Sequence, residues 1–216
     1  MRPLRLLASL ALCLATTAFT ARPADAHRCH LGPPAQRAAA AMASVRYPLD
    51  TLGLTLRVAG GRRGILGGTW QGSRTIALYV RPCEPTATLA AVAAHEVGHV
   101  VDAVVMTDAR RAEWLAARGI SPRPWLPTGP GSDFASPAGD FAEGFAWIHG
   151  VHSALGFRSR LAPAPGPDVA GGLERFWWPA PSAPDVSSPA TTIAASTTTT
   201  TAPRGLTIDL FRIGDP

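Results

Sequence analysis

The feature that most constrains this chain is the sequence HEVGH at residues 95–99, which lies inside an apolar segment. From Thr86 to about Met106 or Asp108, apolar residues recur on most faces of a helix, so the segment predicts a buried helix. His95 and His99 are four residues apart and lie on the same face of such a helix. Adjacent polar side chains on so apolar a helix are costly to bury without partners, so the pattern favours a metal site.

Glu96 is rotated by about 100° from His95 around this helix, which keeps it off the metal but within reach of a bound water. Two imidazoles on one helix are typical ligands of zinc, which lowers the pKa of a bound water to about 7. A carboxylate beside that water can accept its proton and deliver it to a leaving amine. The residues therefore predict a zinc cofactor and hydrolysis of an amide bond, with Glu96 as the catalytic base.

A catalytic zinc site needs a third protein ligand besides His95 and His99. Asp140 and Glu143 begin a second predicted helix over residues 140–157, and their spacing of three places both on one side. His149 is a weaker candidate. The pattern leaves open whether Asp140 or Glu143 binds the metal.

HEVGHVVDA, followed about forty residues later by DFAEGFAWIHG, resembles the zincin metallopeptidases. Within them it is most similar to the glutamate-zincin branch that includes the catalytic domain of anthrax lethal factor and related secreted bacterial proteins. The similarity covers roughly residues 75–157. It implies an α+β fold with His95 and His99 as zinc ligands and Glu96 as the general base. It also implies that an edge strand, Thr75 to Val80, aligns a peptide substrate by β-addition.

This chain departs from the family pattern at one position. The family places its glutamate ligand four residues before Glu143, and that position is Gly139, which has no ligand atom. Either Asp140 or Glu143 replaces it, or the site binds zinc poorly. The leading hypothesis is a peptidase that cleaves extracellular proteins. The alternatives are a degenerate zincin acting as a secreted binding or surface module, and a zinc hydrolase of a cell-wall amide.

The N-terminus has the pattern of a secretory signal peptide. Arg2 and Arg5 precede an apolar run from Leu6 to Phe19, and small residues end at an A-x-A site, residues 24–26. The mature chain would begin at His27 and be secreted. The apolar run is shorter than the roughly 20 residues that span a bilayer, and no other segment is longer, so we expect no membrane segment in the mature chain.

Two cysteines remain after that cleavage, Cys29 and Cys83. Because an exported protein meets an oxidising compartment, we predict a Cys29–Cys83 disulfide. The alternative is that Cys29, flanked by His27 and His30, is an inhibitory or accessory metal ligand.

The sequence predicts an α+β zincin-like fold, with a small antiparallel or mixed sheet, the HEVGH helix and a following ligand-bearing helix. We divide the chain into a signal peptide at 1–26, the zincin-like domain at 27–160 and a disordered Pro/Thr-rich tail at 161–216. Two islands in the tail, 173–178 and 205–213, either dock back on the domain or bind something else. The other expected elements are a helix at 36–46, strands at 52–58 and 75–80, a helical segment at 110–118 and a loop at 121–139 anchored by Trp125.

The charge pattern argues against nucleic acid as a partner. All twenty basic residues are arginines, and none forms a run longer than the pairs at 62–63 and 110–111. Nucleic-acid binders usually cluster their positive charge on one face. Removal of residues 1–26 leaves 17 basic and 14 acidic residues, a net charge of +3. The peptidase hypothesis makes a protein or peptide substrate the expected partner, and we expect a monomer.

Overall fold

The computed structural model describes residues 31–128, 132–150 and 155–179, and the backbone of 207–210. The predicted signal peptide and Cys29 lie outside these residues, so export and the Cys29–Cys83 disulfide stay predictions. Within them the fold is mixed α+β, as the sequence predicts.

The sheet has the strand order β2-β3-β1-β4. Strand β1 pairs in parallel with β3 and with β4, and β2 pairs antiparallel with β3. The sheet is therefore mixed. The strands are β1 (Thr55–Gly60), β2 (Gly67–Trp70), β3 (Thr75–Val80) and β4 (Thr207–Leu210).

The prediction that Thr75–Val80 forms an edge strand is wrong. Strand β3 lies between β2 and β1, and all six of its residues are buried. A continuous apolar strand is typical of a sheet interior, because both of its faces are covered. The outer strand on this side is the glycine-rich β2.

Five α-helices complete the described part of the chain: α1 (Pro34–Ala43), α2 (Thr86–Val105), α3 (Asp108–Ala117), α4 (Pro137–His149) and α5 (Pro167–Leu173). Helix α2 contains the HEVGH motif and packs against α1, α4, β2 and β3. It is long and apolar enough to cross a membrane by length and composition, but 83% of its most apolar stretch is buried inside the fold. Such burial is typical of the core helix of a globular protein.

Helix α4 begins earlier than the sequence suggested. Ser136 caps it, since its hydroxyl accepts a hydrogen bond from the N–H of Gly139 at 3.0 Å, and Pro137 occupies the first turn. A short 3-10 turn, Asp133–Ala135, comes directly before it. The end of the predicted loop at 121–139 is therefore ordered structure that leads into α4.

The hydrophobic core extends beyond the predicted domain boundary at residue 160. Leu173, Phe176 and Trp177 are buried in the main core cluster, where Trp177 has no exposed surface. The hydroxyl of Tyr47 also donates a hydrogen bond to the Trp177 carbonyl at 2.7 Å. The island at 173–178 therefore docks on the domain, and the folded part of the chain includes it.

Candidate metal centre

Helix α2 holds the two motif histidines one turn apart on one face. Their ring centroids are 4.9 Å apart, and the ring planes are nearly perpendicular. His95 is only 5% exposed, and apolar neighbours on α2 such as Val97 and Val100 are fully buried. Because α2 is packed into the core, both imidazoles are held in place at the wall of a cleft.

Asp133 completes a group of three ligand atoms. Its Oδ2 atom lies 3.1 Å from Nε2 of His95 and 3.1 Å from Nε2 of His99. Donor atoms bound tetrahedrally to zinc at 2.0–2.1 Å lie about 3.3 Å from one another, which is close to these separations. His95, His99 and Asp133 can therefore hold a metal ion.

The structure differs from the predicted ligand set at Glu143. Its Oε2 atom accepts a hydrogen bond from Nδ1 of His95 at 2.8 Å, on the side of the ring away from Asp133. Its other oxygen accepts a hydrogen bond from the backbone N–H of Arg158 at 3.0 Å. A carboxylate in this position fixes the tautomer of a metal-binding histidine and orients its ring. Glu143 therefore supports His95 and lies outside the group of ligand atoms.

Asp140, the other predicted ligand, is fully buried and has other partners. It accepts hydrogen bonds from Nε of Arg118 at 3.0 Å, from Nε1 of Trp114 at 3.0 Å and from the hydroxyl of Ser159 at 2.6 Å. A second nitrogen of Arg118 donates at 3.1 Å. The side chain of Asp140 faces the Arg118 guanidinium rather than the cleft. Asp140 therefore links helices α3 and α4.

Gly139 explains why the third candidate ligand comes from another position. A Cβ atom there would lie 2.7 Å from Oδ2 of Asp133 and would overlap the backbone carbonyl of Asp133. The candidate carboxylate thus comes from the preceding turn and not from helix α4, and the backbone of that turn occupies the space that Gly139 leaves open. Asp133 was not predicted from the sequence because it lies in a segment without periodicity.

The segment before α4 is held in place by several contacts. Nε1 of Trp125 donates a hydrogen bond to Asp102 on α2 at 2.8 Å, and the Trp125 carbonyl accepts one from Ala138 at 3.1 Å. The N–H of Arg160 donates to the Phe134 carbonyl at 2.8 Å. Trp125 therefore anchors this segment, as predicted, and helps to fix the position of Asp133.

Glu96 is buried beside the imidazoles and faces β2. The hydroxyl of Thr69 lies 2.7 Å from Oε2 of Glu96 and 3.0 Å from its backbone carbonyl. Glu96 lines the same cleft as the three ligand residues. The carboxylate is therefore separate from the metal ligands but close to them.

The cleft has a volume of about 810 Å³. The edge strand β2 borders it with Gly67, Gly68 and Thr69, and the segment before α4 borders it with Leu126, Pro127 and Phe134. This volume is within the usual range for sites that bind small molecules or short peptide segments. The candidate metal centre is thus open to an extended ligand.

The electrostatics of the group favour a cation. Burial alone would lower the pKa of His95, but hydrogen bonds to Asp133 and Glu143 outweigh it and raise that pKa to about 9. Burial opposes ionisation of Asp133, but hydrogen bonds from His95 and His99 hold its pKa well below the usual range. The pKa of Glu143 is lowered because its hydrogen bond with His95 outweighs burial. Two ionised carboxylates therefore face the imidazoles, and positive charge at this point is stabilised.

No protein-family model, curated protein or solved structure matches this chain.

Proposed function

We propose that this chain is a secreted zinc-dependent peptidase of the zincin type. The observation that supports this most directly is the meeting of Nε2 of His95 and Nε2 of His99 at Oδ2 of Asp133, each at 3.1 Å. Two imidazoles and one carboxylate are the donor set of many catalytic zinc sites. Glu96 lines the same cleft and completes the residues that amide hydrolysis requires.

A zinc ion held by these three atoms would supply Lewis acidity and lower the pKa of a water in its open position to about 7. Glu96 accepts the proton of the attacking water and passes it to the leaving amine. Glu143 keeps the proton of His95 on Nδ1, so that Nε2 is free to bind the ion. Each polar residue at the site thus has a separate task.

The substrate lies, in this proposal, along the outer edge of β2. This strand is at the end of the sheet and borders the cleft with three consecutive residues, Gly67 to Thr69. An extended peptide can add to such an edge through main-chain hydrogen bonds. Strand β2 therefore takes the role that the family resemblance implied for Thr75–Val80.

The alternative function, a degenerate binding module, is motivated by Gly139 and by the long Thr/Pro-rich tail. Since Asp133 offers a third donor atom, the departure at Gly139 no longer argues against metal binding. Metal content separates the two functions, because one tightly held zinc per chain supports the enzyme and none supports the module. Cleavage of purified cell-wall material, with denatured casein left intact, would instead favour the cell-wall amidase.

The experiment that tests the proposed function compares the wild type with Glu96→Gln after zinc loading. We expect the variant to keep its zinc and to lose roughly 10²- to 10⁴-fold of its activity on denatured casein. Glu113→Gln is the matched control, because Glu113 is an exposed residue of α3, and it should retain full activity. Unchanged cleavage by Glu96→Gln would refute the assigned base.

A further inference from the structure

We propose that Thr69 is a positioning residue that holds the Glu96 carboxylate in its catalytic orientation. This inference rests on the proposed function, in which Glu96 is the general base. It concerns a residue of strand β2 that lies outside the HEVGH motif.

The hydroxyl of Thr69 makes the contact. It lies 2.7 Å from Oε2 of Glu96, a short hydrogen bond to a carboxylate oxygen, and 3.0 Å from the Glu96 carbonyl. Among the residues that the structure describes, no other group donates a hydrogen bond to this carboxylate. Within the described part of the chain, the orientation of Glu96, which is 7% exposed, therefore depends on one donor.

Gly67 makes this contact possible from the same face of β2. Residues two apart in a strand point to the same side, so Gly67 and Thr69 both face α2. A Cβ atom on Gly67 would lie 2.6 Å from Cγ1 of Val92 and 2.8 Å from Oε1 of Glu96. Because Gly67 has no side chain, β2 approaches α2 closely enough for the Thr69 hydroxyl to reach Oε2.

The position of Thr69 gives the contact a function beyond packing. A valine has nearly the same shape and would fill the same space, but it has no donor. Glu96 would then be free to rotate within the cleft, towards the ligand group or towards solvent. A base acts efficiently only when its oxygen is held at the distance and angle of proton transfer, so loss of the hydroxyl should slow the chemical step.

The test uses zinc-loaded Thr69→Val, Thr69→Ser, Glu96→Gln and the double variant Thr69→Val/Glu96→Gln, with labelled denatured casein as the substrate. We expect Thr69→Val to lower kcat by about tenfold or more with little change in KM. Thr69→Ser, which restores the hydroxyl, should stay close to the wild type. In the Glu96→Gln background, Thr69→Val should cause no further loss, because Thr69 acts through Glu96.

A merely structural role would give a different result. Equal losses from Thr69→Val in both backgrounds, or a rise in KM alone, would overturn the inference. Activity of Glu96→Gln equal to the wild type would instead overturn the proposed function. A crystal structure of metal-free Thr69→Val gives a readout that needs no activity: we expect the Glu96 carboxylate to move away from β2, and an unmoved carboxylate would contradict the positioning role.

Discussion

A Cβ atom on Gly139 would overlap the backbone carbonyl of Asp133 and lie 2.7 Å from its Oδ2 atom, so a side chain at 139 would displace the Asp133 turn. With glycine at 139 this turn lies against α4, and the Asp133 carboxylate reaches both motif histidines. The absence of a side chain at 139 therefore allows the acid at 133 to lie beside the histidines.

Gly139→Ala should weaken metal binding, although alanine favours a helix over glycine by about 1 kcal/mol. The added methyl group displaces the Asp133 turn, so we expect zinc affinity to fall by at least about tenfold, as for the loss of groups that orient a ligand. Calorimetric zinc titration measures this. Gly171→Ala in α5 is the control, because a Cβ there meets nothing within 4 Å. Equal zinc affinities of wild type and Gly139→Ala would contradict this relationship between residues 139 and 133.

Asp133 and Glu143 should differ in the size of their effect on zinc. Glu143→Gln leaves all three ligand atoms in place and loosens only the orientation of His95, so we expect a loss of roughly 10- to 100-fold in affinity. Asp133→Ala removes one of three ligand atoms and should cost more than Glu143→Gln. Competition with a chromogenic chelator gives both constants. A larger loss from Glu143→Gln would reverse the roles given to these two carboxylates.

Asp140 should matter for folding stability and not for the metal. Its partner Arg118 is buried, so Asp140→Asn leaves a guanidinium without its counter-charge. Breaking a buried ion pair in this way costs about 3–5 kcal/mol of unfolding free energy. Urea denaturation measures the loss, and Asp140→Leu/Arg118→Leu should recover part of it. If Asp140→Asn kept its stability and lost zinc, Asp140 would be a ligand after all.

His149 should make the fold less stable in mild acid. Burial lowers the pKa of His149, outweighing its hydrogen bond to the Arg46 carbonyl and the nearby charge of Glu174. In the unfolded chain the group binds a proton near pH 6.5, as an unperturbed histidine does. The unfolded state therefore binds more protons in this range, and the free energy of unfolding falls as the pH drops below about 6.5.

His149→Gln removes this titration and can keep the hydrogen bond to the Arg46 carbonyl. Urea unfolding of zinc-loaded protein between about pH 7.5 and about pH 5 should show a smaller decline for the variant than for the wild type. The two proteins would decline in parallel if His149 were not the group responsible.

The exported protein should begin at His27 and contain one disulfide. Mass spectrometry of protein recovered from the medium gives the N-terminus, and alkylation without reduction shows whether Cys29 and Cys83 are free thiols. A chain that starts at Met1, or two alkylated cysteines, would contradict the export and disulfide predictions.

The sequence predicted the elements that have strong periodicity or a continuous apolar pattern. Strand β3 has the predicted bounds, Thr75–Val80, and α2 ends within three residues of the expected position. The neighbours of β3 were not predictable in this way, because the glycine-rich β2 has too few side chains to show a pattern. The sequence left the docking of residues 173–178 open for a related reason, since Trp177 belongs to a short apolar segment among prolines whose docking depends on contacts distant in sequence.

The candidate site was likewise predictable only where its residues follow the spacing of a regular helix. His95, Glu96 and His99 are set by their spacing on one helix, so the motif alone located them. Asp133 comes from an irregular turn, where sequence spacing says little about direction. The signal that could have found it is local: a Ser-Pro helix start at 136–137 and a glycine at 139 leave room for an acid placed just before the helix.

The most direct measurement is an anomalous diffraction map of zinc-loaded crystals at the zinc absorption edge. We expect one peak at about 2.0–2.1 Å from Nε2 of His95 and Nε2 of His99, and at about 2.0–2.2 Å from a carboxylate oxygen of Asp133. No peak between the imidazoles, or an ion bound by Glu143 or Asp140 in place of Asp133, would contradict it.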